Sequence, residues 1–412
     1  MPSNIDVKLR RSPLHEEHVR LGAKMTEFGG FEMPLQYRGI REEHMAVRQF
    51  CGLFDASHMG EIEISGRHRK EFVNYLLTND ANRIGPGSAQ YSLMCNNDGG
   101  VIDDLFVMDM GERYILVVNA SNTATDLEHI LKVGDSFRQS YPAGNASCSS
   151  DALSEGVDVR IADISDTLAL LALQGPGAET VLGSVLGTSV SHIKYFSFET
   201  LKYGETDVIV SRTGYTGEDG FELYLEPGRA VELWRSLLEC EVDGSTVTPC
   251  GLGARDSLRL EMGYSLYGHE LSTEINPYEA GLGFTVRLDK AEFVGREALA
   301  GVKASGPARH IVGLKLVERG VPRTSDRVCV NGEDVGYVTS GGFSPVLGAG
   351  IALALVSAEA ASVISEDKST SLSVVQRGRR LSAQAAKTPF VAPRVKRYRG
   401  EQQACAGAKS VL

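Results

Sequence analysis

A change of texture near residue 300 constrains the fold more than any single motif. Before it, short β-rich segments alternate with amphipathic helices; beyond it, almost no helical pattern remains. GEIEISG (60–66) alternates apolar and polar residues with period two, which predicts a half-buried strand. RHRKEFVNYLLTND (67–80) predicts a helix ending near Asn79. YSLMC (91–95) and VIDDLFVM (101–108) read as a hairpin around the turn formers NNDGG, with YILVVN (114–119) as a third strand. TDLEHILKV (125–133) and AVELWRSLLE (230–239) read as helices. TLALLALQGPGAETVLGSVLG (167–187) reads as strand, Gly-Pro-Gly turn and helix, and DVIVSRT and FELYLE (207–213, 221–226) as strands flanking GYTGEDG. After residue 300, HIVGLKLVE, RVCVNGEDVGYVTSG, IALALV and SLSVVQRG are short strands between turns, with ISEDKSTS (364–371) a polar loop. The expectation is an α+β region with mainly antiparallel sheets, followed by an all-β module, a small barrel or jelly roll.

The chain of 412 residues is long enough for two or three domains with ample core. Its 42% apolar and 23% charged residues are those of an ordinary globular protein, and no apolar run approaches the ~18–20 residues of a membrane helix. A net charge of −11 argues against wholesale nucleic-acid binding. Seven scattered cysteines and nine dispersed histidines form no zinc-spaced cluster, which predicts free thiols and no metal chemistry. The start, MPSNIDVKLRRSP, lacks the apolar core of a secretory signal and is compatible with the remnant of an organellar presequence.

LQGPGAET and GLGARD mimic phosphate-binding turns, but Thr180 and Asp256 stand where the G-x-G-x-x-G pattern requires glycine. Turns and caps are the simpler reading. On a helical projection of GLGARDSLRLEMG (251–263), Arg255 falls inside the apolar arc of Leu252, Leu258 and Met262, with Arg259 one turn later. A guanidinium there is either in a structural salt bridge, with Asp256, Glu261 or a distant acid, or held for an anionic or planar ligand. In GYTGEDGFELY (214–224), Glu218 and Asp219 are expected at a solvent-exposed tip, whereas Glu222 faces opposite to Phe221 and Leu223. It either meets solvent or lines a pocket. His58, in DASHMGE, reads as a loop or cap residue. VIDDLFVM poses a puzzle, because alternation gives each apolar face of the strand one carboxylate, Asp103 on one and Asp104 on the other.

Taken in order, these segments resemble the aminomethyltransferase family, the T-proteins of the glycine cleavage system. The resemblance is carried by SPLHEEHVRLGAKMTEFGGFEMPLQY, EEHMAVRQFCGLFDASHMGEIEISG, AQYSLMCNNDGGVIDDLFV, NASN, LQGPGAE, GYTGEDGFELY, CGLGARDSLRLEMGYSLYGHEL, NPYEAGLGF, VTSGGFSPVLGAGIALALV and KTPFV, running from about Ser12 to Val391. It implies a three-domain tetrahydrofolate-binding enzyme: two interleaved α+β subdomains over 12–290, a C-terminal β-barrel domain over 300–392, and a tail over 393–412. The implied reaction moves an aminomethyl carbon from the lipoyl arm of the H-protein to tetrahydrofolate, as co-substrate and without a metal. Mapped onto this sequence, the family's catalytic aspartate is Asp103, and its folate-binding glutamate and arginine are Glu222 and Arg255. Met59, Tyr91 and Asn119 match positions lining the family's pocket, and Tyr398 matches a folate-contacting tyrosine near the C-terminus. Asp104 is then expected to be a structural acid on the opposite face.

Three relatives sharing this folate domain are disfavoured. A demethylating oxidase carries a flavin domain ahead of it, where this sequence has no room. A folate-dependent tRNA-modifying GTPase needs a phosphate loop, which is absent. A non-catalytic folate protein assisting iron–sulfur cluster assembly carries a Lys-Gly-Cys-Tyr-x-Gly-Gln-Glu signature, also absent, and stands as the alternative function. Between Lys368 and Gly400 there is no acid, while basic residues accumulate. Arg394, Lys396 and Arg397 either form a solvated tail or steer an acidic, lipoyl-carrying partner. The mitochondrial matrix is the expected compartment, with a bacterial cytoplasm as the alternative.

Overall fold

In a computed structural model of the protein, which describes residues 9–140, 156–366 and 371–396, two sheets face one another and a barrel closes the C-terminal end. After a short N-terminal sheet, helix α1 (Ile40–Gln49) leads into β1 (Gly52–Asp55) and β2 (Gly60–Ser65). Then come α2 (Arg69–Leu76), β3 (Ser88–Cys95), β4 (Val101–Asp109), β5 (Arg113–Val118), α3 (Thr123–Ser140) and β6 (Arg160–Asp163). The chain continues through β7 (Ala169–Gln174), α4 (Ala178–Leu186), β8 (Phe198–Tyr203), β9 (Thr206–Ser211), β10 (Gly220–Leu225), α5 (Pro227–Glu239), β11 (Thr248–Pro249) and α6 (Leu252–Met262).

Strand order is β8-β9-β10-β7-β1-β11 in one sheet and β3-β4-β5-β2-β6 in the other. The chain crosses between them twice, from β1 to β2 through Ala56–Met59 and back from β6 to β7. The two α+β units are therefore interleaved, and the loops at the crossings lie between the sheets. All pairings in these sheets are antiparallel except β11 with β1.

Each sheet buries its outer face under helices. Leu171, Leu173, Phe221 and Leu223 pack with Leu233 and Trp234 of α5, while Leu105, Val107 and Leu116 pack with Phe72 of α2 and Ile130 of α3. The inner faces meet through Ala56, Phe106, Met108, Leu170 and Tyr224. A strand covered on both faces reads as almost continuously apolar, as LALLALQ and VIDDLFVM do, so a carboxylate there must have a partner or a purpose. The NNDGG turn is held by the Asn96 side chain, which accepts from the backbone N–H groups of Asp98 (3.0 Å) and Gly100 (2.9 Å). A Cβ on Gly100 would lie 1.9 Å from the Thr273 carbonyl oxygen, so only glycine fits.

Beyond helix α7 (Arg296–Ser305), six strands close into a barrel, which decides between barrel and jelly roll. They are β12 (Arg309–Leu316), β13 (Arg327–Val330), β14 (Glu333–Ser344), β15 (Ala349–Ser357), β16 (Leu372–Gln376) and β17 (Arg379–Ala385). Residue 300, expected to open this module, lies inside α7. A further helix, α8 (Ala358–Glu366), takes the first residues of the segment expected to be a polar loop. The helix expected to end near Asn79 stops at Leu76, and Lys290 donates its ammonium hydrogens to the carbonyls of Asn74, Leu77 and Asn79 there.

The barrel docks on α6. Leu260 packs against Ile351 and Leu353, Arg259 donates to Ser340 (2.9 Å), and Ser344 donates to Glu261 (2.5 Å). Glu261 also accepts from Arg48 (2.8 Å) and lies 3.1 Å from the His44 ring. Burial alone would raise its pKa, but the hydrogen bonds from His44, Ser344 and Arg48 prevail and hold it near 2. Two expectations fail at this junction. Glu218 and Asp219 are buried rather than at a solvent-exposed tip: Glu218 pairs with Arg48 (2.8 Å) and Arg394 (2.7 Å), and Asp219 with Arg212 (2.6 Å). The loop is pressed against α6, where a Cβ on Gly217 (φ +76°) would lie 1.9 Å from the Met262 sulfur, so its acids point into the body. Nor do Arg394 and Lys396 belong to a free basic tail. Arg394 is tied to Glu218, and Lys396 pairs with Glu179 at 3.0 Å. Arg397 lies outside the described residues.

Candidate active site

Alternation holds from Asp103 to Met108, but a bulge just before it sets Ile102 on the same side as Leu105 and Val107. Leu105 and Val107 look into the helix-covered core, and Asp103, in phase with them, is fully buried on that side. Phe106 and Met108 look into the space between the sheets, and Asp104, in phase with them, is partly accessible there. The acid on the inter-sheet side is therefore Asp104, not Asp103. Period two separates the faces, but only the docking of α2 and α3 decides which one stays open.

The two acids are not independent. Asn119, just past the end of β5, donates its backbone N–H to Asp103 Oδ2 (2.9 Å) and its side-chain amide to both Asp103 Oδ1 (2.9 Å) and Asp104 Oδ1 (2.9 Å). Asn122 donates a further hydrogen bond to Asp103 (2.8 Å). From β3, where Tyr91 stands opposite Phe106, the Tyr91 hydroxyl donates to Asp104 Oδ2 (2.9 Å). Burial and the neighbouring charge of Asp103 push the Asp104 carboxyl up to about 7, against the hydrogen bonds from Tyr91 and Asn119. Burial and Asp104 in turn keep the Tyr91 phenol protonated well past its ordinary range.

The facing wall comes from β10. Phe221 and Leu223 fill the outer core, while Glu222 and Tyr224 turn inward. Thr213 donates to Glu222 Oε2 (2.5 Å), and burial raises the glutamate's pKa, opposed by Thr213 and the charge of Arg255. Helix α6 separates its two arginines cleanly. Arg259 is buried and paired with Asp256 (2.8 Å) and Glu270 (3.2 Å), which is the structural salt bridge. Arg255 has no carboxylate partner among the described residues; its guanidinium lies over the Tyr215 ring, 5.1 Å from the centroid, and Tyr215 stacks on Tyr264. His58 is buried at the crossing between the sheets, and burial together with the charge of Arg255 lowers it to about 4, leaving it neutral. Met59, beside it, packs partly exposed against the inter-sheet cluster.

Tyr91, Asn119 and both aspartates are thus joined by direct hydrogen bonds, and Arg255 is close enough to Glu222 and His58 to shift both. Tyr215 links the two halves, since it carries Arg255 on its ring and feels the charge of Asp104. Tyr398 lies outside the described residues. Sequence reasoning passed over Tyr215, Asn122 and Asp126. Tyr215 sits in a glycine-rich loop that reads as surface, and Asp126 sits in the first turn of a helix, where acids are common. Asn122 was visible only within the quoted NASN. Glu222 offers an acceptor beside the guanidinium of Arg255, which has no carboxylate partner among the described residues, and the facing sheet offers the Asp104 carboxyl, with its pKa of about 7. The cleft suits a flat, amino-substituted ring system bearing a protonatable amine. Among the described residues, no group of three or more His, Cys, Asp or Glu is placed to hold a metal, and no helix is long and apolar enough to cross a membrane.

Comparison with known proteins identifies the family and the fold. Residues 14–290 match the GCVT N-terminal domain, and residues 309–392 match the glycine cleavage T-protein C-terminal barrel domain. The aminomethyltransferase of Shouchella clausii is 44% identical over 389 residues, covering 94% of this chain and 99% of the relative. That of Desulfitobacterium hafniense (strain DSM 10664 / DCB-2) is 45% identical, covering 93% and 98%. The crystal structure of glycine cleavage system aminomethyltransferase T from Bartonella henselae superposes with a TM-score of 0.80 at 34% identity, covering 94% of this chain and 99% of that one. These relatives are bacterial, so the expected mitochondrial compartment finds no support in them. With both family domains matched in order along nearly the whole chain, this protein belongs to the aminomethyltransferase family, the T-proteins of glycine cleavage.

Proposed function

We propose that this chain is a tetrahydrofolate-dependent aminomethyltransferase that takes its one-carbon unit from an aminomethyl group on the lipoyl arm of the H-protein. The overall reaction balances as follows. The S–CH2 and CH2–NH2 bonds break, and the carbon becomes the bridge between N5 and N10 of tetrahydrofolate. The two amine hydrogens displaced from folate end on the lipoyl sulfur and on the departing ammonia. Folate and the lipoyl thiol supply the reacting atoms; the chain binds, orients and moves protons.

The observation that carries this reading is the pairing of Asp104 with Tyr91 and Asn119 opposite Glu222 and Arg255, in a chain of this family. Glu222 accepts hydrogen bonds from the N–H edge of a pterin. Arg255, whose guanidinium lies over Tyr215 and which has no carboxylate partner among the described residues, meets an anionic or carbonyl group. Asp104, with a pKa of about 7, exchanges a proton with a folate amine near neutral pH and stabilises positive charge developing on the transferred carbon. Asp103, sealed behind the strand, positions Asn119 rather than meeting substrate. The bacterial relatives favour a bacterial cytoplasm over the mitochondrial matrix as the place of work.

The test is a coupled assay with aminomethylated H-protein and tetrahydrofolate, following formation of methylenetetrahydrofolate. Turnover is expected. Tetrahydrofolate binding by calorimetry without turnover would return the chain to the non-catalytic folate-binding alternative, and no binding would end both.

A further inference from the structure

The loop GYTGEDG (214–220) reads as surface yet folds around a side chain from another strand. Gln174, the last residue of β7, is fully buried and lies on the same face of its sheet as Glu222, since Ala172, two residues back, stands opposite Glu222. Its amide nitrogen donates to the Thr213 carbonyl (3.1 Å), and its oxygen accepts from the Thr216 hydroxyl (2.8 Å). That hydroxyl in turn accepts from the backbone N–H of Glu218 (3.2 Å). Both threonines are buried, so one amide brackets Gly214 and Tyr215 away from water. The cross-strand neighbours of Gln174 are Gly52 and Gly220, and a Cβ on Gly214 would lie 2.0 Å from the amide oxygen. The loop closes directly over the amide, with no room for a side chain between them.

The ring-binding wall hangs from the bracketed residues. Thr213 donates its hydroxyl to Glu222 (2.5 Å), and Tyr215 carries the Arg255 guanidinium over its ring, 5.1 Å from the centroid. Arg255 has no carboxylate partner among the described residues, so the aromatic face beneath it, and not an ion pair, sets where its charge points. Tyr215 stacks on Tyr264 and donates its hydroxyl to the Ser265 carbonyl. Its ring end is thus fixed by the segment after α6, and its backbone by Gln174. An amide is what this place requires. It offers one donor and one acceptor, whereas an ionised carboxylate cannot donate to the Thr213 carbonyl and an apolar side chain serves neither partner.

We propose that Gln174 is a positioning residue for ring recognition: by holding Thr213 and Thr216 on one amide, it fixes the separation of Glu222 and Arg255 before the ligand arrives. Fully buried, it meets neither the ring nor the reacting atoms. The inference rests on the reading of Glu222 and Arg255 as the wall that binds the flat, amino-substituted ring. Asp104, Tyr91 and Asn119 belong to the other sheet, so the effect falls on binding more than on the chemical step.

The test compares Gln174→Met, which keeps the length of the side chain and removes both hydrogen bonds, with Arg255→Met and the double variant. Calorimetry with tetrahydrofolate and steady-state kinetics supply the readouts. Gln174→Met is expected to raise the Kd for tetrahydrofolate by roughly tenfold, because the ring must then order the loop itself. KM rises with it, while kcat at saturating tetrahydrofolate falls by much less. In the double variant the two losses of affinity should combine to less than their product, since Gln174 acts in part through Arg255; a scaffolding role alone leaves them multiplicative. Affinity unaltered in Gln174→Met but weakened in Arg255→Met overturns the proposal and leaves the ring-binding wall standing, whereas affinity unaltered in Arg255→Met overturns both. Multiplicative losses, or a fall in kcat as large as the rise in KM, also overturn it. Should Gln174→Met fail to fold, Thr216→Val, which removes the hydroxyl and keeps the shape, decides: about threefold weaker binding is expected, and unaltered binding overturns the proposal.

Discussion

Two charged regions of this molecule lie on either side of α6 and are built on opposite principles. At the junction with the barrel, the carboxylates of Glu218 and Glu261 share a cationic partner in Arg48, Arg394 closes over Glu218, and the His44 ring sits against Glu261. In the cleft, Asp103 and Asp104 share one asparagine amide and have no ion-pair partner among the described residues, and Arg255, lying over a tyrosine, has no carboxylate partner among them. The same residue types give a clamp in one place and a reactive site in the other. The difference is whether the opposite charge is supplied by the fold or left for a ligand to supply. Neutralised ions hold the domains in register; uncompensated ones shift their pKa and become chemically useful.

The sharpest way to break this contrast is Asp104→Asn. It should lower kcat by roughly 10²–10⁴-fold while tetrahydrofolate affinity stays within a few-fold, read by single-turnover kinetics and calorimetry. Because the folded state raises the Asp104 pKa from 3.8 to about 7, its ionisation opposes folding increasingly as pH rises across that window. The same variant should therefore melt higher than the unaltered protein at pH 8 and show no such gain at pH 3.5. In the unaltered protein, kcat/KM should climb as pH rises through about 7; a profile flat from 6 to 8 would falsify the assignment of Asp104.

The junction should answer in stability instead. Glu261→Ala leaves Arg48 buried without its main partner and is expected to lose about 3–5 kcal/mol in denaturant unfolding, with folate affinity of the folded protein preserved. Since folding lowers the Glu261 pKa from 4.5 to about 2, its contribution is complete above 4.5 and disappears as pH falls toward 2. A Glu261→Ala protein that matched the unaltered one in its acid transition would refute the clamp. Next in size, Arg255→Met should weaken tetrahydrofolate binding by roughly tenfold or more yet shift stability by no more than about 0.5 kcal/mol, because it breaks no ion pair. The smallest effect is expected at Arg394→Ala. Its half-exposed side chain is worth under about 1 kcal/mol, since Arg48 still holds Glu218, and the KM for H-protein should not move.

Much of this was legible beforehand because it depends on local periodicity. The hairpin around NNDGG, the strand FELYLE, the helix over GLGARDSLRLEMG and the β-only texture after residue 300 follow from alternation, turn residues and helical spacing. The same periodicity put Glu222 opposite Phe221 and Leu223, and Arg255 on the side of Arg259. It could not say which of the two arginines would be paired, because Asp256 is near both in sequence while Glu270 and Ser340 reach Arg259 only through the fold. It also misjudged Glu218, Asp219, Arg394 and Lys396, whose charges look like surface until the loop, the C-terminal segment and α1 are brought together.

The two adjacent aspartates show where the boundary lies. Alternation along an extended strand is enough to set Asp103 and Asp104 on opposite faces, and it holds from Asp103 to Met108, past the bulge at Ile102. Only the tertiary structure decided that α2 and α3 cover the Asp103 face while the second sheet leaves the Asp104 face accessible. Only the tertiary structure brought Asn119, distant in sequence, to share one amide between them. Backbone geometry is local, but burial, and with it the pKa of a carboxyl group, is set by whatever packs from elsewhere in the chain.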